Sequence, residues 1–326
     1  MALENTNKSM EVALASKLQL QLEQPMADIT TKLVNKDFEG EFFKIGDTVT
    51  IVKPSLDSIV VEDAQPIVGT FLESALNDAR LTPQDIDFER DTLRIDSTMK
   101  YAFKVSDINK AEGKWDYASG GLDMAAHKIR IKHNLRTAEL ILKSEKVARI
   151  GSPSAPLGLT SVDELYEKVL VPMYTTLYSN GAITADGQVT FGSNPVEGKA
   201  TSAGVFMPAD VFGALLQSKY LTDRSTTAAD DKVATANIKQ VLGMDIAVEP
   251  ALDQKSKYHV TVESLAEGTY AIIAGTKNVV TRAGKVLPPD RFRSHTNFAE
   301  EFHGIEIYGE KVAQPEAAIV AFVTLP

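Results

Sequence analysis

The 326-residue chain contains no cysteine. That excludes a disulfide framework, thiolate catalysis and cysteine-ligated zinc or iron–sulfur sites, so stability has to come from packing or association. No stretch approaches the roughly eighteen consecutive apolar residues of a transmembrane helix. The opening, MALENTNKSMEVALASK, has its apolar residues interrupted by Glu4 and Glu11 and is not expected to act as a secretory signal. Catalytic signatures are missing as well. No G-x-S-x-G elbow presents a nucleophilic serine. His127 and His133 stand six positions apart and His295 and His303 eight, so neither pair has the spacing of H-E-x-x-H, and structural roles are expected for them. GSNPVEGKAT, residues 192–201, fails as a phosphate loop: five residues separate Gly192 from Gly198 where the motif needs four, and Ala200 takes the Ser/Thr position. No catalytic residue, metal ligand or cofactor is assigned, and the chain is not expected to be an enzyme.

What is present describes a folded chain. Hydrophobic residues make up 44% and charged residues 24%, which argues against disorder and against a fibrous repeat. The length suits two subdomains. With 34 Lys and Arg against 44 Asp and Glu, the net charge of −10 should repel nucleic acid unless cations cluster locally. One such cluster exists. Between His127 and Arg149 the chain carries Lys128, Arg130, Lys132, Arg136, Lys143, Lys146 and Arg149 against Glu139 and Glu145, a local balance of +5. Such a stretch is either a solvated helix face with salt bridges to acidic neighbours, or a surface facing nucleic acid through non-specific phosphate attraction. No aromatic ladder accompanies it, so sequence-specific or single-strand recognition is not expected.

Periodicity supplies the elements. Residues 93–105, LRIDSTMKYAFKV, place Leu93, Ile95, Met99, Tyr101, Phe103 and Val105 on one parity and mostly charged or polar residues on the other, a strand with one wet face. Uninterrupted, it would reach roughly 40 Å, about twice a typical strand. A second extended segment, FEGEFFKIGDTVTIVKP, aligns Phe43, Ile45, Val49 and Ile51 around a Gly46–Asp47 turn. The two flank a mixed region from Ser58 to Arg90, a pattern that predicts a two-stranded excursion. Its apolar face cannot be buried on both sides by its own body, so a neighbouring subunit is the expected cover. An amphipathic helix is predicted over Met10 to Leu22. A long helix is predicted from Ser106 or Asp107 toward Arg149, with a break at Ser119-Gly120-Gly121. GSPSAPLG, residues 151–158, marks a boundary. Beyond it, a helix capped by Ser161 and Glu164 and ending near Gly181, a strand ending at Met207 before Pro208, and short alternating strands predict an α+β second part. The last run, ending AAIVAFVTLP, must be covered by something.

Taken in order, these segments resemble the major capsid protein of tailed bacteriophages, with its Hong Kong 97-type α+β fold. MALENTNKSMEVALASKL resembles the family's N-terminal arm. FEGEFFKIGDTVTI and LRIDSTMKYAFKVSDIN resemble the two limbs of its extended loop leading into a long spine helix. GVFMPADVFGALL and VLGMDIAVEPAL resemble parts of the axial domain, and FRSHTNFAEEFHGIEIYGEKVAQPEAAIVAF the return to the peripheral domain. The resemblance implies an arm over 1–36, the extended loop and its flanking strands over 37–104, the spine helix of the peripheral domain over 105–150, an axial domain over 151–285 and the peripheral return over 286–326. It implies a subunit of the virion, assembled in the host cytoplasm into pentamers and hexamers that enclose double-stranded DNA, with no membrane partner. Ile45, Val49, Ile51, Met99, Tyr101 and Phe103 are the expected inter-subunit residues of the loop. Lys128, Arg130, Lys132 and Arg136 are the expected DNA-facing or inter-subunit residues of the helix. A separate scaffolding protein, a portal and a decoration protein are the further partners it suggests. An encapsulin-like compartment shell is the nearest alternative, and a soluble α+β enzyme with an unrecognised site a more distant one.

Overall fold

The computed structural model of the chain describes residues 28–36, 44–54, 88–107, 117–184, 202–222, 240–261, 266–294 and 298–326. The helix expected over Met10 to Leu22, most of the region from Ser58 to Arg90, and the loop at 192–201 lie outside the described residues.

The first described element is a short helix, α1 (Ile29–Leu33), whose N-cap Asp28 accepts from the Thr31 N–H at 2.8 Å; β1 (Val34–Asn35) follows. The extended segments come next. β2 (Thr48–Pro54) and β3 (Phe88–Arg94) pair antiparallel from Thr48 opposite Arg94 to Pro54 opposite Phe88, as a ribbon of their own. β4 (Ser97–Ser106) begins after a break at Ile95 and Asp96 and joins a different sheet. LRIDSTMKYAFKV is therefore two strands with two sets of partners, not one long strand.

The long helix, α2 (Tyr117–Lys143), passes unbroken through Gly120 and Gly121. A β-carbon on Gly121 would overlap the Phe103 ring, so the glycine there makes room for a strand instead of breaking the helix. α2 stops at Lys143, short of the expected Arg149, which lies in β5 (Ala148–Ile150). The Arg149 guanidinium turns back to donate to the carbonyls of Leu142 at 2.9 Å and Ser144 at 3.0 Å, satisfying acceptors that a helix end leaves open. The expected opening at Ser106 or Asp107 borders residues 108–116, outside the described residues.

After β6 (Leu157–Gly158), the segments Asp163–Leu165, Tyr166–Leu170 and Val171–Ser179 run on as one helix, α3, whose middle turn is π-type. The wider turn sits just ahead of Pro172, which lacks an N–H and whose ring would crowd the preceding turn of a regular helix. Glu164 reaches back to the Thr160 N–H at 2.8 Å, one position before the Ser161 cap read from the sequence. Gly181 and Ala182 close the helix by donating to the Tyr178 and Leu177 carbonyls. β7 (Gly204–Met207), α4 (Ala209–Leu215) with Pro208 at its N-cap, α5 (Lys219–Thr222), β8 (Gln240–Val241), β9 (Met244–Val248), a 3₁₀ turn (Pro250–Leu252), β10 (Thr269–Gly275), β11 (Val280–Val286), β12 (Asp290–Arg293), β13 (Ala299–Val312) and β14 (Ala318–Thr324) complete the described chain.

Two main sheets result. The seven-stranded sheet has the order β8-β9-β7-β10-β14-β5, with β6 also paired to β14. β10 and β14 read TYAIIAG and AIVAFVT, and nearly every residue of both is buried, as continuous apolar strands covered on two faces require. The main core forms here with α1, α3, α4 and the end of α2, including the fully buried Phe206, Phe322, Leu165 and Met173. The five-stranded sheet is built on β13. β4 lies along one edge of β13, from Ser106 opposite Ala299 to Ser97 opposite Tyr308; β12 and β11 follow each other along the other edge, and β1 pairs parallel with β11. β11, within the expected axial stretch, pairs with β13, and β14, within the expected peripheral return, lies inside the seven-stranded sheet.

Candidate functional site

The ribbon is rooted by its own chain. Val49, Ile51, Leu93 and Ile95 form a small buried cluster with Ala283 of β11, against which Ile307 of β13 packs. Gly309 of β13 permits the crossing: a β-carbon there would overlap the Arg94 carbonyl oxygen. Lys311 of β13 then pairs with Asp91 and donates to the Thr92 carbonyl at 3.2 Å. The alternation of apolar residues therefore continues from β4 into β3, while the surface beneath changes from the helix side to the face of β11 and β13.

The six residues expected to face a neighbouring subunit divide accordingly. Val49 and Ile51 are 4% and 3% exposed, within the root cluster. Met99, Tyr101 and Phe103 lie in β4 opposite Glu306, Gly304 and Phe302, each half-buried on its own chain. Phe103 stacks on Phe302 with ring centroids 4.9 Å apart and also meets α2 at Gly121. Tyr101 covers Gly304, and burial pushes its hydroxyl up to about 12. Ile45, at the turn before β2, is 53% exposed.

The basic stretch of α2 divides as sharply. Lys128 and Lys132, one turn apart, are exposed. Arg130 is buried; it pairs with Asp28 and donates to Thr31 Oγ1 at 3.1 Å. Burial opposes ionisation of Asp28, but Arg130 and the Thr31 bonds hold its carboxyl below the usual carboxylate range. Arg136 is half-buried, 5.6 Å from the Tyr308 ring centroid and 3.9 Å from Glu310.

Between α2 and the five-stranded sheet lies a buried charge network that the sequence reading missed. His133 Nε2 meets the Glu306 carboxylate at 2.8 and 3.0 Å, and its Nδ1 lies 3.6 Å from Glu310. Arg282 of β11 donates from Nε to Glu310 at 2.6 Å. Burial pushes the Glu310 carboxyl up, yet His133 and Arg282 outweigh it and hold it below its ordinary value. The Tyr308 hydroxyl is pushed up to about 12 by burial. Glu306, Tyr308 and Glu310 share one parity of β13, so the sequence carried a sign that two carboxylates face inward. It carried none of their partners: Arg282 is 28 residues from Glu310, and His133 is 173 from Glu306. These groups pair with one another inside a helix–sheet joint, an arrangement that orients the elements. No set of three or more His, Cys, Asp or Glu able to hold a metal occurs among the described residues. No helix among them is long and apolar enough to cross a membrane.

Neither a protein-family model nor a curated protein sequence matches the chain. Solved structures do. A chain from Mycobacterium phage Che8 is 15% identical, with 92% of each chain covered and a TM-score of 0.58. The capsid structure of cyanophage P-SCSP1u is 12% identical, with 92% of this chain and 88% of that chain covered and a TM-score of 0.56. The mature capsid of bacteriophage PhiM1 is 11% identical, with 90% and 86% covered and a TM-score of 0.54. Identities this low speak to the fold alone, and the match extends over nine-tenths of the chain. The chain has the α+β Hong Kong 97-type fold of tailed-phage capsid proteins.

Proposed function

We propose that this chain is a major capsid protein, which assembles through copies of itself into pentamers and hexamers of an icosahedral head around double-stranded DNA. The observation that carries the reading is a likeness to chains of phage capsid structures over nine-tenths of the sequence. Fold likeness alone does not fix function, so two local features add to it. Among the described residues, the β2–β3 ribbon pairs only with itself and is rooted on β11 and β13, which suits a limb that meets a neighbouring copy in a heterologous, ring-closing contact. Ile45 is the residue of the six with most surface to give to such a neighbour; Val49 and Ile51 set the root of the ribbon, and Met99, Tyr101 and Phe103 fix β4 beside β13. Of the four helix residues, Lys128 and Lys132 are exposed and able to face DNA, whereas Arg130 and Arg136 make contacts within the chain. A separate scaffolding chain, a portal and a decoration protein are the partners such a shell would require or accept, and the virion is where it would reside.

Size-exclusion chromatography with negative-stain imaging of the purified chain tests the reading. Closed shells or ring-shaped capsomers are expected. A monomer that forms no higher state at high concentration overturns it.

A further inference from the structure

The segment 28–36 is fastened where α1, α2 and the turn after β9 meet, and the fastening centres on a buried carboxylate. Glu249 is 4% exposed. It takes hydrogen bonds from neutral donors: the Ala251 N–H at 3.3 Å, the Asn134 side-chain amide at 3.4 Å and the Ile29 N–H at 3.5 Å. All three are long, which compensates poorly for removing a charge from water. Asn134 extends the junction by accepting from Thr30 Oγ1 at 2.6 Å. The charged groups nearby belong to other pairs. Asp28, at the start of α1, brings a second carboxylate and engages Arg130 of α2, while Lys32 of α1 is paired with Asp245 of β9 at 2.5 Å. The turn Pro250–Leu252 has no charged side chain.

We propose that Glu249 is a proton-operated clasp for this segment: neutral, it seats α1 against α2 and the seven-stranded sheet; ionised, it lets α1 lift away more readily. Burial pushes the Glu249 carboxyl up from 4.5 to about 6; the Ala251 and Ile29 N–H groups pull it down only in part, and the Asp28 charge adds to the rise. A carboxyl raised on seating stabilises the seated form fully below about 4.5, and that stabilisation is lost as pH rises through about 6. The gap between those two values corresponds to a change in the opening equilibrium of about 30-fold. Asp28 is held below the usual range and keeps its charge across this interval. The clasp is a property of the single chain and does not depend on the shell reading.

Hydrogen–deuterium exchange of the full-length chain between pH 4.5 and 8 tests it, with each rate divided by the intrinsic rate at that pH and the β14 amides as internal reference. In the wild type, opening at Ile29–Leu33 relative to β14 is expected to rise with pH by up to about 30-fold. Glu249→Gln should give a flat profile, and Asp28→Asn a smaller rise, because a neighbouring negative charge is gone. A flat wild-type profile, or the same rise in Glu249→Gln, overturns the proposal. Should Glu249→Gln fail to fold, the wild-type profile decides alone, and a ratio of Ile29–Leu33 to β14 opening that does not rise between pH 4.5 and 8 overturns the proposal.

Discussion

The two main sheets fill their interiors in opposite ways. Inside the seven-stranded sheet, β10 and β14 bury almost only aliphatic and aromatic groups, and no ordering of partners is needed beyond shape. The five-stranded sheet alternates, and the face it turns to α2 carries Glu306, Tyr308 and Glu310 beside Phe302, met by His133, Arg136 and Arg282. Apolar packing is set by shape alone, whereas a buried paired charge also requires its partner in place. The first sheet holds the subunit together; the second fixes how the long helix and the ribbon are aimed.

If that contrast is right, the largest loss of stability comes from the apolar side. Phe322→Ala, at a fully buried position of β14, is expected to cost about 3–5 kcal/mol in a urea unfolding curve, through lost transfer energy and an unfilled cavity. A cost under about 1 kcal/mol would mean that the seven-stranded core is loosely packed. Arg282→Met comes next, at about 3 kcal/mol, because Glu310 is left buried without its guanidinium. The double variant Arg282→Met with Glu310→Met should regain most of that loss, since an apolar pair in place of a buried ion pair is often neutral or better. If the double variant is no better than the single, the network contributes net stability and the comparison of the two sheets fails. The smallest effect is expected for Lys128→Ala with Lys132→Ala. Unfolding should shift by no more than about 0.5 kcal/mol. The salt dependence of double-stranded DNA binding should flatten by roughly 0.9 in log–log slope for each phosphate that is no longer neutralised. An unchanged slope would place these lysines away from DNA.

The sequence was most legible where one periodicity served one surface. The alternation of β4 was correct residue by residue, and AIVAFVT could be read as a strand in need of cover. The aim of the basic residues was not legible. Lys128, Arg130, Lys132 and Arg136 look equivalent in a list of charges, yet Arg130 turns to Asp28 and Arg136 to Tyr308 because α2 is packed on two sides. The Gly120–Gly121 pair was read as a break because helix propensity penalises glycine. A tertiary contact with Phe103 reverses that reading, since the same missing side chain is what lets β4 approach.

By itself, the sequence determined which segments are extended, which are helical and which face of each is apolar, since these follow from local dihedral preference and the period of side-chain direction. Only the tertiary structure decided whose surface covers each face. The root of the ribbon meets β11 and β13 some two hundred residues away, and the choice between its own chain and a neighbour's is a matter of geometry that no local pattern contains.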